Sequence, residues 1–176
     1  IANGAIVQGV SGAAGEFGHV IVELEGGATC NCGLNGCLET VASATGIVRL
    51  AMRELDANGD SHLAYILRQN GHITAKDVAD CAKQGDNYAQ SVFDRVSFYL
   101  GYVLANVANT LNPEKIVIGG GVSKAGDILL NNVRKYFQQF TFSQVRKSTS
   151  LAIANLGNDA GVIGAAWLIK VKMQEK

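Results

Sequence analysis

The sequence lacks the usual marks of a nucleic-acid binder, a membrane protein or a secreted protein. Lys plus Arg number 15 and Asp plus Glu number 15, so the formal net charge is zero. A nucleic-acid partner calls for a basic excess or stripe, and none is present, so none is expected. The longest apolar stretch, 92–111, is interrupted by Asp94, Arg95, Asn106 and Asn109. Spanning a bilayer takes about 20 nearly unbroken apolar residues, so this stretch reads as a buried core helix and no membrane partner is expected. No basic segment followed by an apolar one marks a signal peptide. Disulfide spacing is missing too: of four cysteines, three crowd into 30–37 and Cys81 stands alone. Without a secretory signal, clustered thiols read as metal ligands in a reducing compartment, and a cytoplasmic location is expected. Proline occurs once, at Pro113, and histidine three times.

What is present suits a folded domain. The chain has 176 residues, 48% of them apolar and 17% charged, a globular composition. Residues 5–10 and 18–24 carry β-branched side chains between glycines and predict strands. Residues 26–36, rich in Gly, Asn and Cys, predict a loop. Leu38, Val41, Ala42, Thr45, Val48 and Met52 follow helical spacing over 38–55. A turn at 58–60 and a short helix over 62–69 come next. Thr74 and Asp77 form a capping signature for a helix over 74–84. Asp86 caps a long helix to about 111, stopped by Pro113. A strand over 115–118, a turn at 119–121, a helix over 126–140, a strand over 151–155 and a helix over 160–172 complete the pattern. Strands alternating with helices imply an α/β domain with a parallel sheet. The chain opens on Ile1 inside an apparent strand, which reads as a piece of a longer protein.

The most specific chemistry is Cys30-Asn31-Cys32-Gly33-Leu34-Asn35-Gly36-Cys37. Zinc prefers four tetrahedral ligands, with Zn–S about 2.3 Å and Zn–N about 2.0 Å. Three ligands from so short a loop require sharp turns, and Gly33 and Gly36 supply the backbone freedom. His19, which ends Gly15-Glu16-Phe17-Gly18-His19, is the candidate fourth ligand. Three unremarkable thiols are the bland reading, since free cysteine is often buried as a small hydrophobe. His62 and His72 read as surface residues and Cys81 as inert core. Four protein ligands make a structural site. Glu16 and Glu39 flank it, and with the second ring nitrogen of His19 they form a candidate polyol-binding corner. Spacing alone leaves an equal alternative, that both carboxylates are solvated surface charges.

Gly119-Gly120-Gly121 lies between a strand and a helix, where backbone N–H groups can approach a nucleotide. It is not a Walker loop, because the Gly-Lys-Ser/Thr ending is absent, nor a dinucleotide fingerprint, because Lys124 stands where the third glycine belongs. Alone, such a triplet is more often a tight turn.

The run Gly15-Glu16-Phe17-Gly18-His19, then Cys30-x-Cys32-Gly33-x-x-Gly36-Cys37-Leu38-Glu39 and Ser43, resembles the signature of the ROK family of bacterial repressors, open reading frames and sugar kinases. The resemblance continues through 118–123 and 157–166 and covers the whole chain. It is strongest to the glucokinases of Gram-positive bacteria. It implies that His19, Cys30, Cys32 and Cys37 hold a structural zinc, that Glu16, His19 and Glu39 contact the sugar, and that Gly119, Gly120 and Gly121 lie on the adenosine side. It further implies the actin-like, ribonuclease-H-like ATPase fold, residues 1–176 forming the C-terminal lobe with a small zinc-binding segment at 15–43. ATP, Mg²⁺, a hexose (glucose first) and a homodimer follow as expected partners.

One departure is large. The family's N-terminal phosphate loop, its catalytic Asp and its second phosphate loop match nothing here, and Asn3-Gly4-Ala5 would follow directly on that second loop. The expectation is therefore an ATP-dependent hexokinase whose N-terminal lobe is absent from this chain, the chain alone being inactive. Two alternatives stay open: a sugar-responsive transcriptional regulator of the same family, or a kinase for another sugar such as N-acetylmannosamine or fructose.

Overall fold

Residues 1–38 form almost no regular structure in the computed structural model, which describes residues 1–2 and 4–174. The strands expected over 5–10 and 18–24 are not formed. Only isolated bridges occur there, Ala2 with Ala5 and Ile21 with Cys37, and Phe17–His19 is a single 3-10 turn. β-branched residues favour extended backbone, but a strand persists only where a neighbour takes its amides. Among the described residues 6–10 has no such neighbour, and Ile6, Val7 and Val10 are exposed. Asn3, expected next to a phosphate loop, lies outside the described residues.

The helix expected over 38–55 is two helices, α1 (Glu39–Ala42) and α2 (Ala44–Arg53). Ser43 takes extended backbone and its hydroxyl accepts from Gly46 N–H at 3.0 Å, so it caps α2 rather than continuing α1. α3 (His62–Asn70) is capped by Ser61 and ended by left-handed Gly71. α4 (Ala75–Lys83) has the expected capping box: Asp77 N–H donates to Thr74 Oγ1 and Thr74 N–H to the Asp77 carboxylate. α5 (Asn87–Leu111) starts on Asp86, whose carboxylate accepts from Ala89 N–H. The same carboxylate accepts from Leu63 N–H in α3, so one side chain caps two helices. Asn112 ends α5 in the left-handed region, and Pro113 prevents its resumption.

β1 (Lys115–Ile118) leads through a 3-10 turn to α6 (Asp127–Phe140). α7 (Ser143–Ser148), not expected from sequence, joins α6 to β2 (Ser150–Ile153). The strands pair in parallel, Lys115 opposite Ser150 and Ile118 opposite Ile153. α8 (Ala160–Gln174) follows the turn Gly157–Asp159 and exposes Val162, Trp167 and Ile169.

The core gathers around α5. Its Phe93, Val96 and Val103 are buried, and so are Ile47 of α2, Leu63 of α3, Val78 of α4 and Leu129, Val133 and Phe137 of α6. α5 and α6 approach closely at Gly101, where a Cβ would stand 2.7 Å from Tyr136 Cβ and 2.9 Å from Val133 O. No described helix is long and apolar enough to cross a membrane.

Candidate functional site

The zinc-type loop is held by backbone pairing rather than by a sheet. Leu38 N–H donates to Val20 O at 2.8 Å, and the N–H groups of Val22 and Glu23 both donate to Gly36 O at 2.8 and 3.1 Å. Residues 20–23 thus lie beside 36–38. Cys30 N–H donates to Leu34 O and Gly33 N–H to Cys30 O, closing the loop between the thiols. Gly36 has φ of 75°, and a Cβ there would fall 1.9 Å from Glu23 O. Glycine is required at that point by conformation and by space.

These contacts bring together residues that are apart in the chain. The ligand atoms of His19, Cys30, Cys32 and Cys37 all lie within 4.8 Å of one another. His19 Nδ1 is 3.5 Å from Cys30 Sγ, and the Sγ atoms of Cys32 and Cys37 are 3.6 Å apart. A tetrahedral zinc with Zn–S near 2.3 Å sets its sulfurs ~3.8 Å apart, whereas a disulfide needs about 2.05 Å. All four cysteines are free. Burial chiefly, then the neighbouring Cys32 and Cys30, pushes the Cys37 thiol up to about 12. Cys32, on the exposed side, is held below the usual thiol range, first by the Leu34 backbone. Cys37 in these surroundings holds its proton unless a cation is near, and a bound dication drives a coordinating thiol to thiolate. Three soft sulfur ligands and an imidazole, gathered within 4.8 Å of one another, fit the donor set of Zn²⁺. The other two histidines lie elsewhere: His62 stacks on Tyr65 at 5.9 Å, and His72 Nδ1 is 3.1 Å from Asn70 O. Cys81 is buried in α4.

His19 presents its two ring nitrogens to different surroundings. Nδ1 faces the thiols, while Nε2 is 3.9 Å from Glu16 Oε2. Glu39, the first residue of α1, comes close to the residue before His19: its Oε2 would lie 3.5 Å from a Cβ built on Gly18. Both carboxylates are exposed. Two open acceptors flanking an imidazole N–H can bind vicinal hydroxyls.

The glycine turn stands apart from this corner. Gly120 has φ of 82°, and Gly121 begins the 3-10 turn Gly121–Ala125. Gly121 borders a cleft of about 550 Å³ whose walls include Ile47, Lys76, Ala79, Lys83 and Lys124. None of Glu16, His19 and Glu39 lines it. Sequence reasoning missed these lysines, because their sharing of a wall with Gly121 depends on how α4 packs. A hollow of about 600 Å³, lined by 57–62, Cys81 and 84–88, contains none of the expected site residues.

The ROK family pattern matches residues 1–172. The chain belongs to the ROK family. It is 54% identical over 170 residues to a glucokinase of Halalkalibacterium halodurans, covering 97% of this chain and 52% of that protein. A solved ROK family glucokinase of Streptomyces griseus, in complex with glucose and AMPPNP, superposes with a TM-score of 0.81 at 32% identity, over 93% of this chain and 54% of that one. ROK regulators match at greater distance: the transcriptional repressor Mlc of Escherichia coli is 32% identical over 98% of this chain and 41% of its own length. The chain thus spans about half the length of the ROK relatives it matches.

Proposed function

We propose that this chain is the sugar-binding, zinc-carrying half of an ATP-dependent hexokinase that phosphorylates glucose at its 6-hydroxyl. The observation that carries this is the corner itself. Glu16 lies beside His19 and Glu39 beside Gly18, next to a four-ligand cluster, in a chain 54% identical to a glucokinase. The match to regulators is weaker, at 32%, and this favours the kinase.

In this reading His19, Cys30, Cys32 and Cys37 hold zinc, which fixes the loop and does no chemistry on the substrate, since all four coordination positions are protein. The loop then fixes three groups. Glu16 and Glu39 accept hydrogen bonds from sugar hydroxyls, and His19 donates through Nε2 once Nδ1 is committed to metal. Such fixed acceptors reward one stereochemistry of the ring, because an unmatched hydroxyl leaves a carboxylate unpaired. The cleft beside Gly121 would take the adenosine end of ATP, with Ala79, Val122 and Ile47 offering apolar surface and Lys83 and Lys124 favouring a polyanion nearby. The base and phosphate loops that the family resemblance implies match no segment of this sequence. The chain alone is therefore expected to transfer no phosphoryl group.

The test is glucose binding to the zinc-loaded chain by calorimetry, with N-acetylmannosamine and fructose as competitors. Binding that prefers glucose and disappears in Glu39→Gln supports the reading. Preference for another sugar would move the substrate assignment to that sugar. Binding unaffected by loss of Glu16 and Glu39 would overturn the corner.

A further inference from the structure

The sugar corner is assembled from two strips of chain, one ending in Glu16 and His19, the other in Cys37 and Glu39. Something must set the distance between them, because neither strip belongs to a sheet. Glu23 is where they are tied to the helical body. Its backbone N–H donates to Gly36 O at 3.1 Å, and its carbonyl oxygen fills the space a side chain at Gly36 would need. Its side chain points the other way. Arg53 Nη1 donates to Oε1 at 2.7 Å and Nη2 to Oε2 at 3.0 Å, a bidentate pair. Tyr99 of α5 donates its hydroxyl to Oε1 at 3.3 Å.

Burial makes this pair unlike the other ion pairs of the chain. The Glu23 side chain is only 10% exposed and that of Arg53 31%, whereas Lys76 with Asp80 and Arg95 with Glu54 are well exposed. Exposed pairs contribute little, while a bidentate fork closed on a mostly buried carboxylate has a fixed geometry that specifies orientation. Arg53 ends α2, the helix that follows the one begun by Glu39. One residue thereby links the start of the metal loop's second strip, through its backbone, to the end of α2 and the middle of α5, through its carboxylate.

The geometry points to Glu23, with Arg53 and Tyr99, as the positioning group of the sugar corner. It touches neither metal nor sugar, but it sets how far Glu16 and His19 stand from Glu39. The inference rests on the sugar-binding reading above for its functional consequence and on the hydrogen bonds alone for its structural one, so the two can fail separately.

The test compares zinc-loaded wild type with Glu23→Gln and Arg53→Lys by amide hydrogen exchange and glucose calorimetry. In Glu23→Gln the amides of Val22, Glu23 and Leu38 should exchange about ten-fold faster, with α6 amides unchanged and zinc still bound. Glucose affinity should fall about ten-fold, because small misplacement of binding groups is costly. Arg53→Lys, which keeps the charge but loses the fork, should lie between. A general loss of stability would instead speed exchange in α6 as well, and that result overturns the positioning role. So does unchanged exchange at Val22 and Leu38, or unchanged glucose affinity alongside faster exchange. If wild type binds no glucose, the sugar reading fails for this chain, and exchange alone decides whether Glu23 holds the strips together.

Discussion

His19 Nδ1 lies 3.5 Å from Cys30 Sγ although eleven positions separate the two residues in the chain. No strand or helix spans that interval. The closure comes from backbone hydrogen bonds between 20–23 and 36–38, which carry His19 back over the thiol loop. This one contact converts a cysteine-rich loop into a four-ligand centre, and the first prediction follows from it.

Purified and fully reduced, the chain should hold about one Zn²⁺, as the four-ligand set implies. His19→Ala should weaken retention. Cys37→Ser should abolish it and destabilise the fold, because Cys37 is fully buried while Cys32 is exposed. Elemental analysis with a chelator competition series measures this. A reduced wild-type chain without zinc would remove the strongest physical support for the sugar corner.

The two carboxylates should separate sugar binding from stability. Both are exposed, so Glu16→Gln and Glu39→Gln should leave zinc content intact and shift stability by no more than about 0.5 kcal/mol. Each should weaken glucose binding by about ten-fold or more, as expected when a hydrogen bond to a charged group is lost. Calorimetry beside a thermal melt distinguishes the two effects.

Acid should weaken the brace through Glu23. Arg53 first, by hydrogen bond and then by charge, and Tyr99 after it, hold the Glu23 carboxyl below its ordinary value of 4.5. A depressed folded value contributes stability that is full above the unfolded value and lost as pH falls through the folded one. The opening free energy of the Val22 and Leu38 amides should therefore differ between wild type and Glu23→Gln by a constant amount near neutrality, about 1.4 kcal/mol for a ten-fold change in exchange. The difference should shrink only as pH drops below about 4.5. Amide exchange at several pH values, each corrected for the intrinsic rate, measures it, and a difference independent of pH would refute the brace as an ionic one.

Two glycines of the same loop should behave differently. Gly33 has φ of 90° but nothing within 4 Å of an added Cβ, so Gly33→Ala should cost only the conformational strain, about 1–2 kcal/mol. Gly36→Ala would also place a methyl 1.9 Å from Glu23 O. It should disrupt the loop and reduce zinc retention sharply, which the same chelator series reads out.

Ser97 is buried in the middle of α5, and its hydroxyl has no hydrogen-bond partner among the described residues. Ser97→Ala removes that orphan and improves helix propensity, and it should raise stability by about 1 kcal/mol. A chemical melt with an unchanged slope tests it.

The elements with local causes were legible beforehand. Thr74 with Asp77, and Asp86, announce α4 and α5 through their own side chains, and Pro113 ends α5 by missing a donor. The parallel pairing of β1 with β2 also follows from strand and helix alternation. The failures share another cause. Residues 5–10 and 18–24 have strand-like composition, yet pairing depends on partners that local composition does not supply. Ser43 falls within the helical spacing over 38–55, yet its hydroxyl accepts from Gly46 N–H and caps α2 instead. α7 has too few residues to show a period.

The sequence by itself determined the donor set: three thiols and two glycines at spacings that suit zinc, with His19, Glu16 and Glu39 as companions of matching chemistry. It determined this because ligand identity and turn freedom are properties of single residues. Tertiary structure decided what those residues face. Only folding turns His19 Nδ1 to the thiols and Nε2 to Glu16, brings Glu39 beside Gly18, and lets Arg53 and Tyr99 reach Glu23 across 30 and 76 positions. Those contacts are long in sequence and short in space, and the loss of chain entropy in forming them is offset by the buried core around α5 rather than by any local signal.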